Sequence, residues 1–529
     1  MRRISLCVCL LAGLLATPVL GSVPTSEVPT TGANLFPPGC FDCHCPVMWL
    51  RPWKCVDLEM KPFDPAPNYC GCRSFFWCPK EEKKHGNGDK KVEEKKNGSD
   101  QKSAEETSNG GKDKKGKEEK QNGDGEEKKE EEPPTLSPLM QMIKCHKPCC
   151  YDGMEKRGDK FYGWVQAGFT ANFDSPRDRV NYGVNFNWRS NDYRLNQVYF
   201  VFENTLEHDD KPNVGYRVDF VMGQDAPFLA ANGLFSDFTG LDPTSGFGVD
   251  GPASFRYMNR IGIDLPQFYL EAHLSGVITE KGIDIRVGKF YTYVGREVYP
   301  GKDTDFYSRT YENIIGTPFT HTGALATLHA TDTWDVIAGV VRGADVFEDN
   351  NSRPSYHGAF IWNSCDKRWN WTTAWITGPE QPHNNTNYRT VVSSYLTVTF
   401  GHYSEWKLAT GGMLAWEANA ALDPVTGYAQ DAEWYAYSAH LFYTVDPRLI
   451  LGVRAEWFRD DDGVRTAYFG RPGFDASFFD VTLGLTYKPY QNLRLRPEIR
   501  FDWSPDARAW NDQQDRFQTT VGLDVIWEF

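Results

Sequence analysis

Residues 492–503 carry the densest row of ionisable side chains in the sequence. The even-numbered positions are charged (Arg494, Arg496, Glu498, Arg500 and Asp502), and the odd-numbered positions from 493 are apolar. A β-strand sends successive side chains to opposite faces, so this segment has one charged and one apolar face. Because unpaired buried charge is costly, we expect the charged face to contact water. Such a row can pair with neighbouring strands or act on dissolved ions.

The apolar face needs a core or lipid, and the C-terminus indicates which. The last residues place Val521, Leu523, Val525, Trp527 and the terminal Phe529 on one parity. A terminal strand of this kind, ending on an aromatic residue, resembles the C-terminal signature of bacterial outer-membrane barrels. Aromatic residues make up 14% of the chain, which suits two interfacial girdles, although a soluble carbohydrate-binding protein would have a similar composition.

The 529-residue chain has a net charge of −14, and beyond its N-terminus we find no apolar run of about 18 residues that would predict a membrane-spanning helix. Residues 1–21 predict a signal peptide, with Arg2 and Arg3 before an apolar stretch. The mature chain is therefore expected to be exported. Residues 22–79 form a Pro/Thr-rich lead and a Cys-rich segment, and residues 133–159 form a lead-in that contains further cysteines, with a short helix expected over 136–144.

In an exported chain, clustered cysteines favour disulfides. A metal site through Cys43, His44 and Cys45 is the alternative. The mature cysteines are Cys40, Cys43, Cys45, Cys55, Cys70, Cys72, Cys78, Cys145, Cys149, Cys150 and Cys365, and those of the lead-in are expected to bridge to the first cluster. Residues 80–132 are a nearly neutral Lys/Glu/Gly/Asn stretch with almost no apolar residue, which predicts a disordered linker and not a nucleic-acid-binding tail.

Residues 160–529 change to alternation interrupted by turns, and we predict an all-β transmembrane antiparallel barrel of about sixteen strands. The strands are expected near 161–173, 195–204, 213–223, 266–277, 281–291, 321–330, 333–342, 355–364, 367–378, 389–401, 405–418, 432–444, 448–459, 478–488, 492–503 and 517–529. Their connections alternate between short and long, as in outer-membrane barrels with short periplasmic turns and long external loops. An even strand count puts both termini on one side, which would be the periplasm.

With these strands in place, the sequence resembles the putative beta-barrel porin-2 family of bacterial outer-membrane proteins over about 160–529. The resemblance rests on short segments in order, namely 162–164 with 168–169, 172–176, 195–199, 288–291, 318–323, 341–343, 377–380, 456–460 and 496–500. It implies an outer-membrane barrel with porin activity, and it names no solute. The Cys-rich segment and the linker lie outside this pattern.

A barrel of this size can hold an aqueous channel, whose selectivity would come from charged rings and inward-folded loops. The candidate pore-lining residues are Arg494, Arg496, Arg500, Glu498, Asp502, Arg454, Glu456, Arg286 and Arg217. The candidate constriction loop, 292–320, offers Glu297, Asp303, Asp305 and Glu312. The alternative is that these charges pair as ladders that brace the wall. Loop 224–265, rich in phenylalanine, is expected to cap the outside, with a plug or a sugar-binding slide as the alternative.

The sequence gives weak support for catalysis, because His321, His402 and His440 are scattered and no Ser/His/Asp arrangement is legible. The three acids at 460–462 could bind Ca²⁺ but are more simply solvated. We therefore expect no enzyme activity, no cofactor and no metal. The expected partners are outer-membrane lipid, the barrel-assembly machinery through Phe529, small hydrophilic solutes and, in a homo-oligomer, further copies of the chain. The sequence predicts a porin-like channel for passive diffusion with a periplasmic Cys-rich tether, and the alternative is a structural or attachment barrel with a plugged or gated lumen.

Overall fold

The computed structural model describes residues 136–208, 211–235, 261–423, 426–467 and 473–529. The predicted signal peptide, the Cys-rich segment and the linker lie outside the described residues.

Two short helices precede the barrel, α1 (Pro138–His146) and α2 (Pro148–Arg157). Ser137 begins α1, and its hydroxyl accepts a hydrogen bond from the Met140 amide at 3.1 Å and donates one to the Phe161 carbonyl at 2.8 Å. The helix expected over 136–144 is therefore present and is tied to the first strand, whereas α2 was not predicted. Cys145, Cys149 and Cys150 are exposed on these helices, and the cysteines that they are expected to bridge lie outside the described residues.

The rest of the described chain forms one antiparallel sheet. Its strand segments are β1 (Lys160–Asn172), β2 (Asp192–Asn204), β3 (Asn213–Gly223), β4 (Gly262–Asp264), β5 (Phe268–Leu274), β6 (Ile283–Tyr291), β7 (Thr320–His329), β8 (Trp334–Val341), β9 (Ser355–Asn363), β10 (Trp369–Pro379), β11 (Tyr388–Phe400), β12 (Trp406–Leu422), β13 (Ala429–Asp446), β14 (Leu449–Asp460), β15 (Ala476–Tyr490), β16 (Leu493–Trp503) and β17 (Phe517–Glu528).

The sheet closes on itself, because β1 pairs with both β2 and β17. The terminal residue takes part in the closure: Phe529 and Gly163 exchange backbone hydrogen bonds of 2.8 Å in both directions. A closed sheet leaves no unpaired edge, which is the condition for strands to cross a lipid bilayer.

The predicted strand 266–277 corresponds to β5, and a further short segment, β4, precedes it at the end of the predicted loop 224–265; both pair with β3. Pro266 lies in the gap between the two segments, and proline has no N–H to donate to a sheet. Counted as one interrupted strand, β4 and β5 give a barrel of sixteen strands, as the sequence predicted. The other boundaries differ from the prediction by a few residues, with β12 and β13 extending furthest past it.

The two faces of the barrel have different side chains. Large apolar residues with substantial exposure occupy the outward parity, including Leu270, Leu414, Tyr437, Leu483 and Leu523. Successive connections alternate between the two ends of the barrel, and both ends of the described chain lie at the end with the short turns, which we call the terminal end. The long connections lie at the other end, which we call the loop end. No helix in the described ranges is long and apolar enough to cross a membrane.

Candidate functional site

The connection between β6 and β7, residues 292–319, folds into the barrel lumen, and we call it the inner loop. It contains a 3-10 turn at Gly301–Asp303 and a π-helix at Glu312–Gly316. Its central side chains are almost inaccessible, with Ser308 and Tyr311 at 0% exposure. An external loop in water would not be buried in this way, so the barrel wall and other loops must enclose it.

Carboxylates of the wall hold the backbone N–H groups of the inner loop. Glu498 of β16 accepts hydrogen bonds from the amides of Tyr307 and Ser308, both at 2.9 Å. Glu456 of β14 accepts them from the amides of Tyr311 and Glu312, at 2.6 and 2.8 Å. Both oxygens of each side chain accept from adjacent amides, so each carboxyl group fixes two successive peptide units.

Guanidinium groups of the same wall hold the carbonyl groups of the loop. Arg454 donates to the Ser308 carbonyl at 2.9 Å, and Arg496 donates to the Thr304 carbonyl at 2.6 Å. Arg500 donates to the Arg309 carbonyl at 2.5 Å. An irregular segment without sheet or helix partners leaves its peptide groups unsatisfied, and these side chains supply the partners.

These residues correct one expectation from the sequence. The charged face of β16 was expected to contact water, but Arg454, Arg496 and Arg500 are at most 2% exposed, and Glu456, Glu498 and Asp502 at most 5%. The inner loop covers them. Each arginine also pairs along the wall, Arg496 with Asp524 at 2.6 Å, Arg500 with Asp502 at 2.7 Å and Arg454 with Asp480 at 3.3 Å. The bracing alternative therefore describes these buried residues better than an open pore lining does.

The remaining candidate pore-lining residues are partly exposed to solvent. The side chains of Arg217, Arg286 and Arg494 are 22%, 27% and 22% exposed. Arg217 pairs with Glu203 at 2.9 Å, Arg286 with Glu271 at 2.9 Å and Arg494 with Glu528 at 2.5 Å. Of the candidate pore-lining residues, these three arginines are the ones that a solute could still contact.

The four acids predicted for a constriction divide into two kinds. Glu297 is enclosed, accepting from the amide and hydroxyl of Thr310 at 2.8 and 2.9 Å. Asp303 and Asp305 are partly exposed, the first paired with Lys302 at 2.6 Å and the second with Arg296 at 2.5 Å. Burial between the wall and the loop does not neutralise Asp305, because the adjacent Arg296 holds its pKa below the usual range.

Glu312, the fourth acid, is buried against β11. The hydroxyl of Tyr395 donates a hydrogen bond to it. Burial raises the pKa of Glu312 to about 7, and the neighbouring Glu297 adds to the rise. A narrow polar crevice adjoins it, lined by Gly295, Arg296, Glu297, Thr310, Glu312, Asn313, Tyr395, Ser438 and His440.

Aromatic side chains of the β1–β2 connection, the inner loop and β15 pack against one another. The β1–β2 connection contributes Tyr182, whose ring centre lies 6.0 Å from that of Phe478, and Phe186, 5.5 Å from Tyr299. Tyr311 of the inner loop is 5.7 Å from Phe478. The loop end of the lumen therefore holds a packed apolar cluster. We did not predict this cluster, because a polar loop with occasional aromatic residues gives no sign in sequence of where it folds.

The described part of loop 224–265 also packs inward. Phe228 is 2% exposed and its ring centre lies 5.8 Å from that of Phe186. Asp225 accepts a hydrogen bond from Asn196 at 2.8 Å. The preferred expectation of an external cap is therefore wrong for 224–231. Residues 236–260, with Phe238, Phe247 and Phe255, lie outside the described residues.

The acids at 460–462 point to separate partners. Asp460 accepts from the Thr466 amide at 2.7 Å, Asp461 pairs with Arg459 at 2.5 Å, and Asp462 accepts from Gln430 at 3.0 Å. Their oxygens hold loops together through separate contacts. Within the described ranges, one group of side chains does converge as metal ligands would, at His208, His273, Asp284 and His329. No local spacing in the sequence marks this group of four side chains.

The sequence matches one known protein family. The family described as "Putative beta-barrel porin-2, OmpL-like" matches residues 159–529. No curated protein matches the sequence.

Solved structures similar to this chain include the outer membrane channel DcaP of Acinetobacter baumannii, at 11% identity and a TM-score of 0.45, over 70% of this chain and 97% of that one. They also include an anion-selective porin from Comamonas acidovorans, at 10% identity and a TM-score of 0.43, over 70% of this chain and 99% of that one. The family match covers most of the sequence and all sixteen strands, and the chain therefore belongs to the putative beta-barrel porin-2, OmpL-like, family of bacterial outer-membrane proteins.

Proposed function

We propose that this outer-membrane channel protein lets small hydrophilic solutes diffuse passively beside the inner loop, which narrows the lumen. The observation that supports the proposal is the fixation of the inner loop to one wall by Glu456, Glu498 and the three buried arginines. That wall is formed by β14–β17. The exposed charges Arg217 and Arg286 lie outside that wall, on β3 and β6, three and five strands from β17.

The proposal gives the exposed charges the role of setting ion preference. Asp305 of the inner loop and Lys407 of β12, 3.8 Å apart and both partly exposed, add charge on another side of the lumen. Opposite charges across a narrow aqueous path would produce a transverse field that acts on a passing ion.

Conductance of the mature chain in a planar bilayer, with a salt gradient across it, tests this proposal. We expect steady ohmic steps with a definite reversal potential, and a shift of that potential in Arg217→Glu and Arg286→Glu. The matched control is Arg508→Glu, in the exposed β16–β17 connection. A channel with the same reversal potential in the parent, Arg217→Glu and Arg286→Glu would contradict the role of these charges.

A second candidate function is a structural or attachment barrel with a closed lumen. The apolar cluster around Tyr182, Phe186 and Tyr311 favours it, because packed aromatic rings leave no path for water where they lie. Absence of conductance from a folded, heat-modifiable barrel would support this function over the channel.

The same proposal places residues 22–132 in the periplasm as a tethered module. A flexible linker of the length of 80–132 spans roughly 40 Å. Deletion of 22–135 tests the tether and keeps α1 on β1. We expect conductance to survive and attachment to the cell envelope to weaken. Unchanged attachment would exclude an anchoring role.

A further inference from the structure

Four side chains converge on the lumen side of the terminal end of the barrel, and we call them the histidine cluster: His208, His273, Asp284 and His329. One nitrogen or oxygen atom from each lies within 4.8 Å of those of the others. Asp284 is central: its Oδ1 is 2.7 Å from His273 Nδ1, and its Oδ2 is 2.9 Å from His208 Nε2 and 3.1 Å from His329 Nε2.

The sheet register produces this convergence. His273 of β5 and Asp284 of β6 are directly opposite each other, and Asp284 is opposite Thr327 of β7, two residues before His329. Residues two apart on a strand share a face, so the three side chains project to the same side of the sheet. His208 reaches them from the connection between β2 and β3.

A further carboxylate orients one of the imidazoles. Asp335 Oδ1 of β8 lies 2.7 Å from His329 Nδ1. If Nδ1 donates its hydrogen to Asp335, Nε2 is left with a lone pair directed at the centre of the cluster. Metal-binding histidines commonly donate their second ring N–H to a carboxylate in this way.

We propose that the histidine cluster binds a divalent transition-metal ion, and that the ion is Zn²⁺ by its donor set. Three imidazoles and one carboxylate supply the nitrogen and oxygen ligands of a four-coordinate zinc site. Bonds of about 2.0–2.1 Å place tetrahedral ligand atoms roughly 3.4 Å apart, a spacing that small side-chain rotations could reach from the observed geometry. Asp284 would contribute a negative charge to the site.

The bound ion would connect the β2–β3 connection to three neighbouring strands. His208 is half exposed and sits on that connection, whereas His273 is 1% exposed within the wall. A metal bond to His208 would therefore fix a short turn at the mouth of the lumen. The competing explanation is a metal-free set of hydrogen bonds and ion pairs around Asp284.

Metal titration of the full mature chain with Co²⁺ and Zn²⁺ distinguishes the two explanations. We expect visible d–d absorption from a tetrahedral Co²⁺ site, without the thiolate-to-metal charge transfer that the N-terminal cysteines would produce. His273→Ala should remove one equivalent of bound metal, and Zn²⁺ should raise the melting temperature of the parent chain but not of this variant. His402→Ala, another histidine in a turn at the terminal end, is the matched control and should behave as the parent.

Asp335→Asn tests the orientation of His329 and leaves all four proposed ligands in place. We expect its affinity for Zn²⁺ to fall about 10- to 100-fold. Equal metal stoichiometry in the parent and in His273→Ala would overturn the proposal, as would Co²⁺ spectra that show thiolate ligation only. A melting temperature that His273→Ala and Asp335→Asn both lower, but that Zn²⁺ never changes, would establish the metal-free explanation.

Discussion

The bonds from Glu498 to the inner loop allow a quantitative prediction for Glu498→Gln. Its carboxylate accepts the amides of Tyr307 and Ser308, both at 2.9 Å. A glutamine retains one carbonyl oxygen and turns an NH₂ group toward the second amide, which then has no acceptor. Hydrogen bonds to charged groups contribute about 1.5–3 kcal/mol each. Loss of one and weakening of the other should destabilise the docked loop by about 2–4 kcal/mol.

Since 1.4 kcal/mol is a factor of ten, undocking of this part of the loop should become about 30- to 700-fold more frequent. Hydrogen–deuterium exchange of peptides covering 301–316, with the barrel in detergent, measures that frequency directly. In bilayers, the same variant should visit a substate of larger conductance. Both readouts report local movement and do not require a change in global stability.

Glu203→Gln is the matched control. Glu203 is also a wall carboxylate, but its hydrogen bonds are with Tyr162 at 3.2 Å and Arg217 at 2.9 Å. Exchange over 301–316 should stay at the parent level in this variant. If Glu498→Gln also left exchange and conductance unchanged, the idea that wall carboxylates hold the inner loop would be refuted.

Four further predictions concern the loop, the wall and the membrane face. The pKa of Glu312 is about 7 in the docked loop, above the ordinary 4.5, so between pH 4.5 and 7 the docked loop binds a proton that the undocked loop does not. Docking of the inner loop should therefore weaken as the pH rises from 5 to 8, by about 3 kcal/mol at most. Exchange over 301–316 measured against pH checks this. Gly301→Ala should undock the 3-10 turn, because its Cβ would lie 1.9 Å from Gln166 Oε1; conductance substates report it. Leu414→Arg, on the lipid face, should destabilise the barrel in bilayers by about 2–4 kcal/mol in reversible unfolding. Deletion of Phe529 should reduce the heat-modifiable fraction in cells, because the residue both closes the sheet and ends the expected assembly signal.

Each of these has an outcome that contradicts it. In Glu312→Gln, exchange over 301–316 should not depend on pH between 5 and 8. The same pH dependence in this variant and in the parent would assign the effect to another titratable group. Gly153→Ala, on α2, should leave conductance alone. Leu414→Ala measures the loss of apolar contact alone. An equal loss of stability in Leu414→Ala and Leu414→Arg would show that the charge in lipid has no cost of its own. Normal assembly without Phe529 would show that neither role of the residue is needed.

Most strands could be predicted from the sequence because their side chains alternate with a period of two over most of their length. The exception is β4. The predicted strand began at Pro266, and the apolar pattern after that proline could not show that pairing with β3 already begins at Gly262. Sequence also indicated that 292–320 was a candidate to fold inward, but only by analogy with porins.

The partners of the charged residues could not be predicted, because they depend on contacts between distant parts of the chain. Glu498 binds amides 191 and 190 residues away, and nothing near residue 498 marks it as a ligand of a loop. The histidine cluster also joins residues that are distant in the sequence. Asp284 is separated from His208 by 76 residues and from His329 by 45. Register, and not local spacing, brings such residues together.

Burial of the charged row changes where selectivity can reside. Arg454, Arg496 and Arg500 are committed to carbonyl groups of the inner loop and to wall carboxylates, so a passing ion meets their field only through the loop. Movement of the loop would expose several peptide groups and separate several charge-assisted bonds at once. A constriction held in this way behaves as a fixed part of the wall and not as a flap. Changes of selectivity should therefore follow the exposed residues Arg217, Arg286 and Asp305, whereas changes at the buried arginines should first alter whether the loop stays in place.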